Sequence, residues 1–271
     1  MTAPHPGVVL LHGAWAQSWV WDLVVERLAD AGITCHRPDL LGAGHWGDDP
    51  ITLTDVVDAV IDEIADIPGD LVVIGHSGGG VVATDVAERL TRGRDPRIRG
   101  LGYVAGMMLP SGMNFGQLCT HAGLAAPVGI SAFTEPTADG RGTVVPPEAG
   151  AAVFFQQADA HAAVSAARRL VPQLESTRLI APEWTAEGAG SLPRLYVEAT
   201  LDRSVPLAAQ REMQRLSPGA RVVTLETDHA PQLSRPDELA AILAEFVHSM
   251  EHGHSDVTPS GHPSRTTVRS S

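Results

Sequence analysis

The sequence predicts an α/β fold: a doubly wound, mostly parallel sheet of about six strands with helices on both faces and an inserted cap. Short apolar runs rich in valine alternate with longer segments whose apolar residues recur at helical spacing. Right-handed crossovers between such strands give a parallel sheet covered by helices. The alternation stops over residues 107–191, and a chain of 271 residues suits one core with an insertion of this size.

The predicted elements follow in order along the chain. Strands are expected at residues 8–11, 33–37, 71–74, 98–106, 195–200 and 220–226. Helices are expected at residues 21–28, 53–67, 81–90, 207–216 and 239–250. Residues 1–106 and 192–250 then form the core, and residues 107–191 form the cap, whose one long helical candidate is 151–170. The polar residues 251–271 are expected to be disordered.

Composition excludes several classes of partner. The formal net charge of −13 opposes binding to nucleic acid or to an anionic membrane surface. No segment reaches the ~18 consecutive apolar residues of a membrane span, and the first residues have no basic region before an apolar one, so we expect a cytoplasmic protein. Cys35 and Cys119 lie far apart and are interpreted as two free thiols. The sequence leaves open whether the protein forms a homodimer.

The strand at 71–74 runs into Gly75-x-Ser77-x-Gly79, directly before a helical segment. A serine on such a strand-to-helix turn projects its hydroxyl above the sheet edge, where it can attack a substrate. With 27 glycines in the chain the motif alone is weak, and a plain tight turn is the alternative. The nucleophile interpretation depends on partners elsewhere in the sequence.

Two such partners follow later strands. Asp202 comes after the strand at 195–200, and His229 comes after the strand at 220–226. A serine needs a base to take its proton, and a carboxylate fixes the tautomer of an imidazole base, so Ser77, Asp202 and His229 form a candidate triad. Glu198 is a rival acid inside its strand, and Asp228 is adjacent to His229 and would point elsewhere.

Two backbone amides are candidates for an oxyanion hole. The N–H of Gly78 lies at the start of the helix after Ser77, and the N–H of Ala14 lies in the loop after the first strand. Parallel strands bring both to the same sheet edge. The alternative for the Ala14 loop is a turn without a chemical role.

A Gly-x-Gly-x-x-Gly pattern at Gly42, Gly44 and Gly47 could indicate a dinucleotide site. That motif should open a helix, but Asp48-Asp49-Pro50 follows and the next helix starts only near Thr52. We interpret it as a surface loop.

Four motifs together resemble the α/β-hydrolase superfamily: His12-Gly13-Ala14-Trp15, Gly75-His76-Ser77-Gly78-Gly79, Leu201-Asp202-Arg203-Ser204-Val205-Pro206 and Asp228-His229-Ala230-Pro231. Trp21, Phe154-Phe155 and Leu170-Val171-Pro172-Gln173 resemble a subgroup of small esterases that includes plant methyl esterases and hydroxynitrile lyases. The resemblance covers most of residues 8–248 and is weakest at 116–150.

The resemblance implies roles position by position. It makes Ser77 the nucleophile, His229 the base, Asp202 its orienting acid, and the N–H groups of Ala14 and Gly78 the oxyanion hole. The lyases have a threonine and a lysine at the positions of Gly13 and Ala230. Without the lysine ammonium nothing at that position would stabilise departing cyanide, so the interpretation of this chain as a lyase loses its main support. Epoxide hydrolases and haloalkane dehalogenases have an aspartate at position 77 and are excluded.

The expected function is hydrolysis of a carboxylic ester or lactone of a small, largely apolar substrate through an acyl-enzyme, without a metal or organic cofactor. Trp15, Met107 and Phe155 are the predicted pocket residues. Two alternatives remain: a non-hydrolytic enzyme of the same fold, such as a lyase, perhydrolase or cyclase, and a small-ligand binding protein with little turnover.

Overall fold

The computed structural model describes residues 5–95 and 97–250. Its strands are β1 Gly7–Leu11, β2 Cys35–His36, β3 Leu71–His76, β4 Ile98–Val104, β5 Glu135–Pro136, β6 Gly142–Val144, β7 Gln173–Leu174, β8 Arg194–Ala199 and β9 Ala220–Leu225. Six of them form one sheet in the order β2-β1-β3-β4-β8-β9, and every neighbouring pair is parallel. The predicted fold class is confirmed, and all six predicted strands are present.

Helices cover both faces of this sheet. They are α1 Asp22–Asp30, α2 Leu53–Ile64, α3 Gly79–Arg92, α4 Phe115–His121, α5 Pro147–Val153, α6 Ala160–Ala167, α7 Leu207–Leu216, α8 Pro231–Ser234 and α9 Pro236–Ser249. Alternate residues of β1 and β3 point to opposite faces: Val9 and Val73 pack with α2 and α3, whereas Val8 and Val72 pack with α1 and α9. This two-sided burial explains why the central strands are continuously apolar in sequence.

The segment between β4 and β8, which we call the cap segment (residues 107–191), contains α4, α5 and α6. Its strands β5, β6 and β7 form a small antiparallel sheet. The loop at Gly42 packs against this segment, because Ala43 bridges to Gln173 and the Leu174 N–H donates to the Gly42 carbonyl. The next helix after the glycine pattern, α2, begins only at Leu53.

The single helix predicted at residues 151–170 is wrong, because two helices occupy this stretch. The N–H of Gln157 donates to Asp228 at 2.7 Å instead of continuing the helical ladder. Asp159 then caps α6 by accepting the N–H groups of His161 and Ala162. Tertiary contact and a new N-cap therefore divide the apolar stretch.

Both cysteines are free thiols, as predicted, with Cys35 half-buried and Cys119 buried. None of the helices in the described part of the chain has the length and apolar character needed to cross a bilayer. The predicted disordered tail, residues 251–271, lies outside the described residues.

Candidate active site

Ser77 sits on the turn between β3 and α3 with a backbone φ of 51°. A positive φ is unfavourable for a residue with a side chain, so the surrounding structure must hold it. Gly75 makes the turn sterically possible, since a Cβ there would collide with the carbonyl group of Gly79. The Ser77 carbonyl accepts N–H groups from Gly80 at 3.0 Å and Met107 at 2.8 Å. The nucleophile candidate therefore projects from a fixed backbone.

Asp202 and His229 form a buried hydrogen-bonded pair. The His229 ring donates from Nδ1 to Oδ2 of Asp202 at 2.8 Å, and the two side chains are 3% and 0% exposed. Oδ1 of Asp202 accepts the N–H groups of Ser204 at 2.7 Å and Val205 at 2.8 Å. These two amides fix the carboxylate, which in turn fixes the proton of His229 on Nδ1 and leaves Nε2 free to act as a base.

The two rival acids have other partners. Asp228 accepts the N–H of Gln157 at 2.7 Å and the hydroxyl of Ser234 at 2.7 Å. Glu198 accepts hydrogen bonds from two residues of α7, Arg211 at 3.2 Å and Gln214 at 3.1 Å. Asp202 is the acid that faces the imidazole.

His76 connects the serine turn to His229. Its Nε2 donates to the His229 carbonyl at 2.7 Å, and the two ring centroids are 4.8 Å apart. Burial, and secondly the neighbouring His229 ring, holds the pKa of His76 well below the usual imidazole range, so the ring stays neutral. Phe154, in the cap segment, stacks on His229 with the ring centroids 5.1 Å apart. The His229 ring is thus held by one residue next to Ser77 and by one from the cap segment.

Within residues 5–95 and 97–250, the Ser77 hydroxyl makes no hydrogen bond to the His229 ring. Such bonds are often long or poorly aligned before substrate binds and tighten in the reacting complex. Ser77 and His229 are linked through His76, and a change in side-chain geometry would be needed before the Ser77 hydroxyl could hydrogen-bond to the His229 ring.

The amides of Ala14 and Gly78 lie beside each other, as a Cβ built on Gly78 would be 3.9 Å from the Ala14 nitrogen. Neither N–H donates to an acceptor in the described part of the chain. Both residues are half-buried. Amides without protein partners next to a candidate nucleophile suit a developing oxyanion, because they provide preorganised donors for it.

A cavity of about 310 Å³ opens above Ser77 between the sheet edge and the cap segment. Its walls are largely apolar and include Trp15, Met107, Phe115, Ile130, Leu179 and Val205. Arg178 also lines it, but its guanidinium is paired with Glu175 at 2.8 and 2.5 Å. Nowhere in the described ranges do three or more His, Cys, Asp or Glu side chains gather in a group suited to a metal ion.

Of the three predicted pocket residues, Trp15 and Met107 line this cavity and Phe155 does not. Because α5 ends at Val153, Phe154 turns toward His229 while Phe155 packs among apolar cap residues and borders a second, smaller cavity. Sequence reasoning missed α4, whose first residue, Phe115, lines the cavity, although the Asn114 and Gln117 capping box marks the start of that helix.

The sequence profile of the alpha/beta hydrolase family matches residues 8–242. The chain belongs to this family. A pimeloyl-acyl-carrier-protein methyl ester esterase from Stenotrophomonas maltophilia is 31% identical over 263 residues, covering 91% of this chain and 95% of the relative. Methylesterase 17 from Arabidopsis thaliana is 25% identical over 263 residues, covering 90% of this chain and 92% of the relative.

Among solved structures, a pyrethroid hydrolase from Sphingobium faniae superimposes with a TM-score of 0.76 at 26% identity, covering 90% of this chain and 98% of the other. The resemblance to small esterases that include plant methylesterases is thereby confirmed. In this α/β hydrolase, the arrangement of hydroxyl, imidazole, carboxylate and two free amides suits nucleophilic attack on a carbonyl carbon.

Proposed function

We propose that this α/β hydrolase cleaves the carboxylic ester or lactone of a small, largely apolar substrate, using Ser77, His229 and Asp202. One observation carries the proposal: the buried Asp202–His229 pair is held through His76 against the turn that presents Ser77 to an apolar cavity. A binding protein would not need a carboxylate-oriented imidazole beside a strained serine.

The proposed reaction has two halves. Ser77 Oγ attacks the carbonyl carbon while His229 Nε2 takes the hydroxyl proton, and the negative oxygen is stabilised by the N–H groups of Ala14 and Gly78. His229 then returns the proton to the departing alcohol, which leaves an acyl group on Ser77. Water, deprotonated by His229, releases the acid in the second half. No step uses a cofactor.

The walls and charges of the cavity support an uncharged substrate. Apolar side chains dominate the lining, and the guanidinium of Arg178 is already paired with Glu175. The similar proteins are named for pyrethroid and methyl ester hydrolysis. The lyase alternative is disfavoured because Ala230, which replaces the lyase lysine, is buried among apolar cap residues.

The test is hydrolysis of p-nitrophenyl butyrate by the purified protein. Ser77→Ala should abolish the activity, and a fluorophosphonate should label the wild type but not this variant. Ser165→Ala, at an exposed serine of α6, is the matched control and should hydrolyse the ester at the wild-type rate. Undiminished hydrolysis by folded Ser77→Ala would refute the proposal, and an inert wild type that binds apolar ligands would favour a binding protein.

A further inference from the structure

The loop that carries the Ala14 amide contains a strained residue. Trp15 has a φ of 59° and is only 4% exposed. A left-handed backbone is uncommon for a bulky aromatic residue and costs on the order of 1–3 kcal/mol, so neighbouring groups must hold it in place. Groups that fix the peptide planes at Trp15 therefore also fix the direction of the Ala14 N–H.

The groups that hold Trp15 come from the cap segment. Its N–H donates to Oε1 of Gln173 at 3.1 Å, and its carbonyl accepts the N–H of Val171 at 2.9 Å. Its indole N–H donates to the Thr143 carbonyl at 3.2 Å. Of these, Gln173 provides the one side-chain bond to the Trp15 backbone.

The orientation of the Gln173 amide is determined by its second partner. Nε2 of Gln173 donates to the Thr177 hydroxyl at 2.7 Å, and this hydroxyl donates its single proton to the Leu174 carbonyl at 2.9 Å. Thr177 can therefore only accept from Gln173, so the amide nitrogen faces Thr177 and the amide oxygen faces Trp15. Gln173 is 5% exposed and lies in β7.

We propose that Gln173 is a positioning residue of the oxyanion hole. By accepting the Trp15 N–H, it keeps Trp15 in its left-handed conformation and directs the Ala14 N–H toward the carbonyl oxygen that Ser77 attacks. The inference rests on the proposed function. Gln173 also borders the cavity, so a direct contact with the substrate is the competing role. Loss of such a contact would change substrate binding and not the stabilisation of the transition state.

The experiment uses Gln173→Met, which keeps the side-chain volume but removes the acceptor, and two variants of its partner Thr177. Thr177→Ser keeps the hydroxyl, and Thr177→Val removes it and frees the Gln173 amide. Each variant is assayed with p-nitrophenyl butyrate and with 1,1,1-trifluoroheptan-2-one, which forms an oxyanion adduct with an active serine. Thermal unfolding reports whether each variant is folded.

We expect Gln173→Met to lower kcat by about 10- to 100-fold with KM within about 2-fold of wild type, less than removing an oxyanion donor outright. Affinity for the fluoroketone should fall by the same factor as kcat/KM. Thr177→Val should show a smaller loss, and Thr177→Ser should match wild type. If Gln173→Met does not fold, the comparison of Thr177→Val with Thr177→Ser tests the inference instead.

Three results would overturn the inference. One is a rise in KM without loss of kcat, which assigns Gln173 to substrate contact. Another is wild-type activity and fluoroketone affinity in folded Gln173→Met or Thr177→Val, which removes the positioning role but leaves the proposed function standing. An inert wild type that no fluorophosphonate labels would overturn both.

Discussion

Gly13 is the place where the smallest change should have a large effect on activity. A Cβ at this position would lie 2.7 Å from the Ser77 Cβ, 3.2 Å from His76 Nδ1 and 3.3 Å from the His76 carbonyl oxygen. Non-bonded carbons in contact are about 3.5–4.0 Å apart. Gly13→Ala therefore requires the loop and the serine turn to separate by about 1 Å.

Neither side of this contact can move freely. The Ser77 turn is held by the Met107 N–H, and the loop is held at Trp15 by Gln173 and Val171. A displacement of about 1 Å between a nucleophile and its supporting groups can cost about 10²-fold in rate. Overpacking costs about 1–3 kcal/mol of stability. We expect Gly13→Ala to lower kcat/KM by about 100-fold while the protein still folds.

The assay is p-nitrophenyl butyrate hydrolysis alongside thermal unfolding. Gly47→Ala is the matched control, because a Cβ there has no neighbour within 4 Å among the described residues, and it should leave kcat/KM unchanged. If folded Gly13→Ala hydrolyses the ester within about 3-fold of wild type, the close approach does not set the geometry of the proposed oxyanion hole, and the reasoning from contact distance to rate fails.

Three further changes test other parts of the structure. Asp202→Asn should lower kcat by roughly 10³- to 10⁴-fold, because the amide favours the wrong tautomer of the imidazole, whereas Glu198→Gln should leave kcat unchanged in the same ester assay. Burial raises the pKa of Asp85 from 3.8 to about 6, so the folded chain binds this proton more tightly than the unfolded chain does, and that stabilisation is lost as pH rises from 3.8 to about 6. Asp85→Asn cannot ionise and should exceed wild type in urea resistance at pH 7, with the difference gone near pH 3.5; an equal difference at both pH values would contradict the assignment. Glu88→Ala should cost about 3 kcal/mol in urea unfolding, since the buried carboxylate accepts the N–H groups of Thr185 at 3.1 Å and Ala189 at 2.7 Å, and a cost below about 1 kcal/mol would contradict this.

The sequence is informative where burial and local sterics act on neighbouring residues. Central strands such as β3 are covered on both faces, and this produces apolar runs that can be recognised directly. The Ser77 turn needs glycine at position 75 for steric reasons that also act locally. Both features can therefore be recognised from residues within a few positions of Ser77.

The cap segment could not be predicted in the same way, because its structure depends on distant partners. The break between α5 and α6 follows from Asp228 taking the N–H of Gln157, 71 positions away. The left-handed backbone of Trp15 depends on Gln173, 158 positions away. No periodicity in either segment records these contacts, so the sequence alone misplaces Phe155 and gives Gln173 no role beyond its part in the family resemblance.

The sheet order alone does not bring His229 to Ser77. Ser77 follows β3 and His229 follows β9, and two strands, β4 and β8, lie between them. With strands about 4.8 Å apart, the two strand ends are separated by about 14 Å. The loop after β9 must therefore return across the sheet edge, and it is held there by the neutral ring of His76, which donates to the His229 carbonyl at 2.7 Å. Because His76 is the last residue of β3, the same backbone that presents the Ser77 hydroxyl also sets the position of His229.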